Sequence, residues 1–229
     1  MSSIFYPGFF QFTDMQTFTS DLPKIEEFVD LSGRELLEIG CGDGRLSSLL
    51  ADKVKRLTAI DPDQDMINQA CKEISGVDFR VGYGEKLEFN DRSFEIVLFS
   101  YSLHHQDCIK ALDEAKRVLR DNGSILIIDP STESEYTQLV SIFQEDEINR
   151  LNTTLAYIKS GNFDINREDV YFVSYHFKDD KELYYHFMDY SINEKDTAPT
   201  EKMKAILGNK ESARPIVIRD KVNIILQKF

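Results

Sequence analysis

Gly40, Gly42 and Gly44 alternate with other residues in the run Glu38-Ile39-Gly40-Cys41-Gly42-Asp43-Gly44, and Asp61 follows 21 residues after Gly40. Glycine lets a chain turn sharply and lets a ligand approach the backbone with no Cβ in the way. A carboxylate at that distance, closing the next strand, can accept hydrogen bonds from both hydroxyls of a ribose. The loop and Asp61 together point to a nucleoside. A dinucleotide asks for G-x-G-x-x-G and seats its pyrophosphate on a helix N-terminus. Here the spacing is G-x-G-x-G, Arg45 holds the third fingerprint position, and Glu38 and Asp43 oppose a pyrophosphate. An acidic loop suits a nucleoside that carries positive charge and no phosphate. Cys41 inside the loop reads as a small filler, with no local histidine to activate its thiol. The adjacent pair His104 and His105 is the other candidate for chemistry: one of them could orient or deprotonate an acceptor. The alternative for this pair is packing and loop hydrogen bonding.

These residues need elements to hold them. Apolar residues at helical spacing run from Leu22 to Leu31, and Ser32-Gly33 ends that helix. Short apolar runs at Glu35–Ile39, Leu57–Ile60, Asp78–Val81, Ser93–Ser100 and Ser124–Asp129 read as strands. They alternate with amphipathic helices near Arg45–Ala51, Gln64–Ile74 and Cys108–Leu119, and the turn Asp121-Asn122-Gly123 precedes the last strand. Strands of this kind alternating with helices predict a parallel sheet covered on both faces, a doubly wound α/β architecture. Ligands of such sheets bind at the carboxyl ends of the strands, where Asp61 and His104 fall. Beyond Pro130 the pattern loosens: one helix is expected over Tyr136–Tyr157, a strand over Val170–Phe177, a helix over Glu182–Ser191 and a final strand over Val222–Leu226. Thr197–Ser212 is polar and is assigned no element. No repeat or linker divides the chain, so residues 1–229 are expected to form one domain on a seven-stranded, mostly parallel sheet.

Six blocks carry a resemblance to a known family. They are Leu36–Gly44, Ala59-Ile60-Asp61, Gly82–Phe89, Asp91–Val97, Ser100–His105 and Ala111–Arg120. In this order, over about 95 residues, the chain resembles the class I S-adenosylmethionine-dependent methyltransferases, of the broad group that includes the ubiquinone/menaquinone methyltransferases. The resemblance implies a Rossmann-like fold, with S-adenosylmethionine as cofactor and S-adenosylhomocysteine as product. It also implies contacts. Gly40 to Gly44 would pass under the methionyl end with Glu38 and Cys41 beside it, and Asp61 would bind the ribose. Pro62 and Met66 would lie near the adenine, Gly84 would present backbone to its edge beside Glu85, and the Ser100 backbone would approach the methionyl amine. The family commonly has Asp where Tyr83 stands, and a frequent Pro is replaced by Glu88. Adenine recognition would then rest on the Gly84 main chain and on Tyr83 stacking. In similar methyltransferases an N-terminal segment lids the cofactor cleft, which makes residues 1–21 the lid and Tyr6 the candidate near the methyl donor.

The acceptor side falls to the rest of the chain. Eight of the 26 aromatic residues lie between Tyr171 and Tyr190, interleaved with His176 and His186, and read equally as buried core or as a pocket wall. The net charge of −13 argues against nucleic acid and anionic membranes as partners. Of the excess, −9 falls in residues 1–130. Cys41, Cys71 and Cys108 show no CxxC spacing, which suits a reducing compartment and gives neither a disulfide framework nor a zinc site. The expected location is the cytoplasm, with no spanning segment and no signal peptide. The expected activity is methyl transfer to an oxygen, nitrogen or carbon of a small-molecule acceptor, with no metal. The alternative is a non-catalytic S-adenosylmethionine-binding regulatory module, which the altered motif at Tyr83 keeps open. A nicotinamide-dependent oxidoreductase is disfavoured by the glycine spacing.

Overall fold

The computed structural model describes residues 15–188 and 198–229. Tyr6 and the rest of the expected lid up to residue 14 lie outside the described residues, as do Tyr190 and Ser191. Helix α1 (Met15–Phe28) leads into strand β1 (Glu35–Ile39), α2 (Arg45–Leu50), β2 (Arg56–Asp61), α3 (Gln64–Glu73) and β3 (Val77–Val81). After a loop come β4 (Phe94–Ser100), a 3-10 turn over Leu103–His105, α4 (Cys108–Val118) and β5 (Leu119–Pro130). Then follow α5 (Glu135–Val140), α6 (Glu147–Tyr157), β6 (Arg167–Phe177), α7 (Asp180–Met188), α8 (Ala198–Leu207) and β7 (Ile216–Lys228).

The strands form one sheet in the order β3-β2-β1-β4-β5-β7-β6. β1 pairs in parallel with β2 and with β4, so the chain reverses its direction of winding between β1 and β4. β7 pairs antiparallel with both β5 and β6 and is the one strand running against the other six. The sequence expectation of a doubly wound, mostly parallel seven-stranded sheet is met.

The apolar runs are continuous because both faces are covered. Leu36, Ile96, Leu98 and Leu126 face Ile25 and Phe28 of α1 and Leu46 and Leu50 of α2. Their neighbours Leu37, Val97, Phe99 and Ile125 face Ala111, Leu112, Ala115 and Val118 of α4. Each central strand thus contributes alternate side chains to two cores, and a polar residue inside it must find a partner or lose stability.

Three expectations are corrected. The single helix over Tyr136–Tyr157 is two, because Ser141 to Asp146 break it and Glu147 begins a new helix. The polar stretch Thr197–Ser212 contains α8, which buries Met203 and Leu207 against the core. β5 begins at Leu119, five residues before the expected start: Leu119 pairs with Phe94, and the Asp121-Asn122-Gly123 turn is absorbed in a register shift before Ser124 pairs with Ile96. The β6–β7 ribbon also runs on past the sheet. β5 stops pairing at Val222, whereas β6 follows β7 up to Ile216, so the ribbon overhangs the carboxyl edge of the parallel strands.

Candidate active site

β1 ends at Ile39, and the chain turns with Gly40, Gly42 and Gly44 all at positive φ. The first turn is fixed from two sides. The amides of Gly40 and Cys41 both donate to the Ile60 carbonyl, at 2.8 and 3.0 Å. The Ser102 hydroxyl donates to the Ile39 carbonyl at 2.5 Å, and a Cβ on Gly40 would lie 2.2 Å from the Cβ of Ser102. Glycine is required there by contact as well as by φ. At Gly42 a Cβ would meet nothing within 4 Å, so the loop faces open space at its centre.

Asp61 ends β2 and belongs to this loop. Its Oδ2 accepts from the Gly42 amide at 2.8 Å and its Oδ1 from the Asp63 amide at 2.9 Å. Burial raises its pKa, against the pull of those two amides. Each carboxylate oxygen accepts more than one hydrogen bond, so both retain capacity toward a ligand. Glu38 is buried in β1, and its Oε2 accepts from Ser47 Oγ of α2 at 2.5 Å. Burial pushes it up to about 8, with the Asp61 charge adding to the shift and Ser47 opposing it. Two acids that resist ionisation side by side form a niche that favours a cation. Cys41 is buried behind the loop, and burial together with Glu38 and Asp61 pushes its thiol far up, so it is a filler and no nucleophile.

Pro62 is exposed and Met66 half-buried at the start of α3, whose cap is Asp63 accepting from the Asp65 and Met66 amides. Across the cleft Tyr83 is 58% exposed, in a tight turn where the Lys86 amide donates to its carbonyl. Gly84 is buried against Ile39 and Gln106: a Cβ there would lie 2.0 Å from Gln106 Oε1. That Oε1 is buried with no hydrogen-bond partner, an acceptor beside the backbone expected to meet an adenine edge. Glu85 turns aside, its Oε1 accepting from the Asp107 amide at the start of α4. Ser100 is buried at the end of β4, opposite Ile128.

The two histidines part company. His104 is buried, with Nδ1 2.9 Å from Asp129 Oδ1 and Nε2 3.1 Å from Glu147 Oε1. Burial lowers its pKa, but the two carboxylates outweigh burial and lift it to about 9, so both ring N–H groups donate. Glu147, also held by Arg150 at 2.7 Å, falls to about 2 despite its burial. His105 is exposed, its ring centroid 3.9 Å from that of His104. One ring nitrogen of His104, one of His105 and a Glu147 oxygen lie within 4.8 Å of one another. A cavity of about 330 Å³ opens behind Asp129, lined by Ser131, Asn152, Thr154 and Lys221.

The aromatic stretch divides by face. Val173, Tyr175 and Phe177 are buried, Tyr175 stacking on Tyr136 at 4.1 Å, while Phe172 is exposed. Tyr171 instead donates its hydroxyl to Asp21 Oδ1, which also accepts from Tyr101 at 3.2 Å. Sequence reasoning missed Ser47, Ser102, Gln106, Asp129, Glu147 and Asp21. Ser102 and Asp129 stood in the quoted blocks and strands, but nothing in one sequence says which side chain reaches across to another strand.

Residues 37–127 match the family model described as a methyltransferase domain. Over this stretch the chain is similar to methyltransferases. An uncharacterized methyltransferase of Staphylococcus carnosus is 32% identical over 139 residues, 57% of this chain and 65% of its own length. The demethylmenaquinone methyltransferase of Chlorobaculum tepidum is 30% identical over 99 residues, 42% of this chain and 40% of its own. The chain thus spans less than two thirds of the length of either curated relative. A Bacillus halodurans protein described as a candidate methyltransferase has the same fold, with TM-score 0.66 and 19% identity, over 91% of this chain and 98% of that one. Among the described residues no helix is long and apolar enough to cross a membrane.

Proposed function

We propose that the protein transfers a methyl group from S-adenosylmethionine to a small-molecule acceptor. One observation carries this reading: the acidic glycine loop lies at the switch between β1 and β4, with its Gly42 amide held by Asp61. The residues fit this cofactor. Asp61 has acceptor capacity for a ribose, Glu38 and Asp61 form a niche for positive charge, and open space faces Gly42. Gln106 Oε1 offers a buried acceptor beside Gly84, where the family's usual Asp is absent and Tyr83 stands exposed.

The cofactor supplies a methyl group on a sulfonium, displaced in line to leave a neutral thioether. The chain therefore has to align the acceptor and exclude water. Ser102 locks the end of β1 to the turn after β4, fixing the two edges between which donor and acceptor meet. His104 is bonded at both nitrogens and holds the turn in place, while desolvation and the neighbouring His104 lower His105 to about 3, so that its ring stays neutral and serves to orient an acceptor rather than to take its proton. The overhanging β6–β7 ribbon with α5 and α7, and the cavity beside Asp129, supply the acceptor side.

The test is calorimetric titration of the full chain with S-adenosylmethionine, S-adenosylhomocysteine and NAD. It should be followed by transfer of labelled methyl from the donor into a cell extract. Binding of the first two and labelling of a small molecule are expected. Binding of both with no transfer to any acceptor would favour the non-catalytic module, and binding of NAD alone would overturn the reading.

A further inference from the structure

The pair of histidines after β4 does not stand alone. The 3-10 turn Leu103–His105 carries them, and Glu147, the first residue of α6, closes on them from the helix layer. His104 Nε2 and Glu147 Oε1 are 3.1 Å apart, and all three candidate ligand atoms lie within 4.8 Å. Two ligands bound at about 2.0–2.2 Å to one ion, at tetrahedral or octahedral angles, sit about 3 Å apart. The closest pair already has that separation.

The groups behind these three are those that orient metal ligands. His104 Nδ1–H donates to Asp129 Oδ1 at 2.9 Å, which fixes the ring with Nε2 pointing at Glu147. A carboxylate on the far nitrogen of a ligating imidazole is the usual support for such a ligand. Arg150 Nη2 holds the other oxygen of Glu147 at 2.7 Å, leaving Oε1 directed at the histidine. Asp129 and Arg150 are thus committed to orientation, and the three inner atoms converge.

We propose that His104, His105 and Glu147 form a binding site for a divalent first-row transition ion. Two imidazoles and one carboxylate are borderline donors that suit zinc, iron(II), cobalt or manganese rather than calcium or magnesium. Three protein ligands leave coordination positions open, as in catalytic rather than structural sites. His105 is exposed, so the open side faces outward from the carboxyl edge of β4. The ion would enter between Nε2 and Oε1 in place of the Nε2 proton, which is released to solvent, and His105 would supply the third ligand from within 4.8 Å. The inference stands independently of methyl transfer.

The experiment uses the full chain, stripped with a chelator and titrated calorimetrically with Zn²⁺, and with Co²⁺ followed by its visible absorption. One ion per chain is expected. His105→Ala and Glu147→Gln should each weaken it by about 10- to 100-fold, and Asp129→Asn by about 10-fold. His105 is exposed and its variant should melt with the wild type, so its result is readable even where Glu147→Gln is unstable. Absence of binding below about millimolar Zn²⁺, or binding that His105→Ala leaves unchanged, would overturn the site.

Discussion

The Asp61 carboxylate holds the Gly42 amide at 2.8 Å, so the last residue of β2 sets the shape of the loop after β1. One side chain therefore shapes the cradle and offers acceptors to a ligand lying in it. Asp61→Ala removes both roles. The affinity for S-adenosylmethionine is expected to fall by about 10- to 100-fold, the loss of a charged hydrogen bond worth about 1.5–3 kcal/mol. Calorimetry on the folded variant measures this, and unchanged affinity would remove Asp61 from the site.

Two glycines of the same loop should respond differently to alanine. At Gly40 the new methyl group lies 2.2 Å from Ser102 Cβ at a φ of +80°, so backbone must move. Gly40→Ala is expected to cost about 2–4 kcal/mol of stability in urea unfolding. At Gly42 the methyl group meets nothing, and only the φ of +55° is unfavourable, which costs about 1 kcal/mol. Gly42→Ala should remain folded and yet bind S-adenosylmethionine at least about 10-fold more weakly, because its methyl group fills the space facing the loop. Equal binding by this variant would place the cofactor elsewhere.

The contrast marks what a single sequence discloses. β1, β2, β4 and the glycine loop were legible because runs buried on both faces are predominantly apolar, and because loop spacing is local. Asp61 was legible by its distance from Gly40. Ser102 on the Ile39 carbonyl was not, nor were Asp129 and Glu147 on His104, since these contacts join residues 63, 25 and 43 positions apart. The helix break before Glu147 hid that residue's position, since a continuous helix from Tyr136 would not begin a new first turn there. α8 was hidden for another reason: Met203 and Leu207 are few among polar neighbours, and tertiary burial rather than amphipathic pattern holds it.

Asp21 predicts an acid-side pH dependence. It is fully buried, its Oδ1 shared by Tyr101 and Tyr171 and its Oδ2 without a partner. Burial raises its pKa to about 7, against the two tyrosines, and Asp220 is raised to about 7 by burial, with Asp21 adding to the shift. An acid with a folded pKa above its unfolded value binds its proton more tightly when folded, so stability falls as pH rises from about 4 to about 7. Asp21→Asn keeps an acceptor for the tyrosines and has no charge to bury. It should be more stable than the wild type at pH 8 and lose part of that slope, on the order of a few kcal/mol. Urea unfolding at pH 5, 6.5 and 8 measures it, and parallel curves for the two proteins would show that Asp21 is ionised at no cost.

His104 predicts a second slope at higher pH. Its folded pKa of about 9 exceeds the ordinary 6.5, because Asp129 and Glu147 outweigh the effect of burial. A raised histidine contributes stability that is complete below 6.5 and is lost as pH climbs through 9, since the folded state then gives up a proton it held tightly. A shift of this size corresponds to roughly 3 kcal/mol. Glu147, near 2, stays ionised over this range and adds nothing to the slope. Asp21, Asp220 and Glu38 decline in the same direction over overlapping ranges, so the difference between wild type and His104→Gln isolates the histidine. That difference should shrink from pH 6 to pH 9.5. If the variant does not fold, an NMR titration of the wild-type imidazole reads the same quantity, with a midpoint near 9 expected. A midpoint near 6.5 would mean that Asp129 and Glu147 do not hold the ring as an imidazolium, and the turn after β4 would then need another anchor.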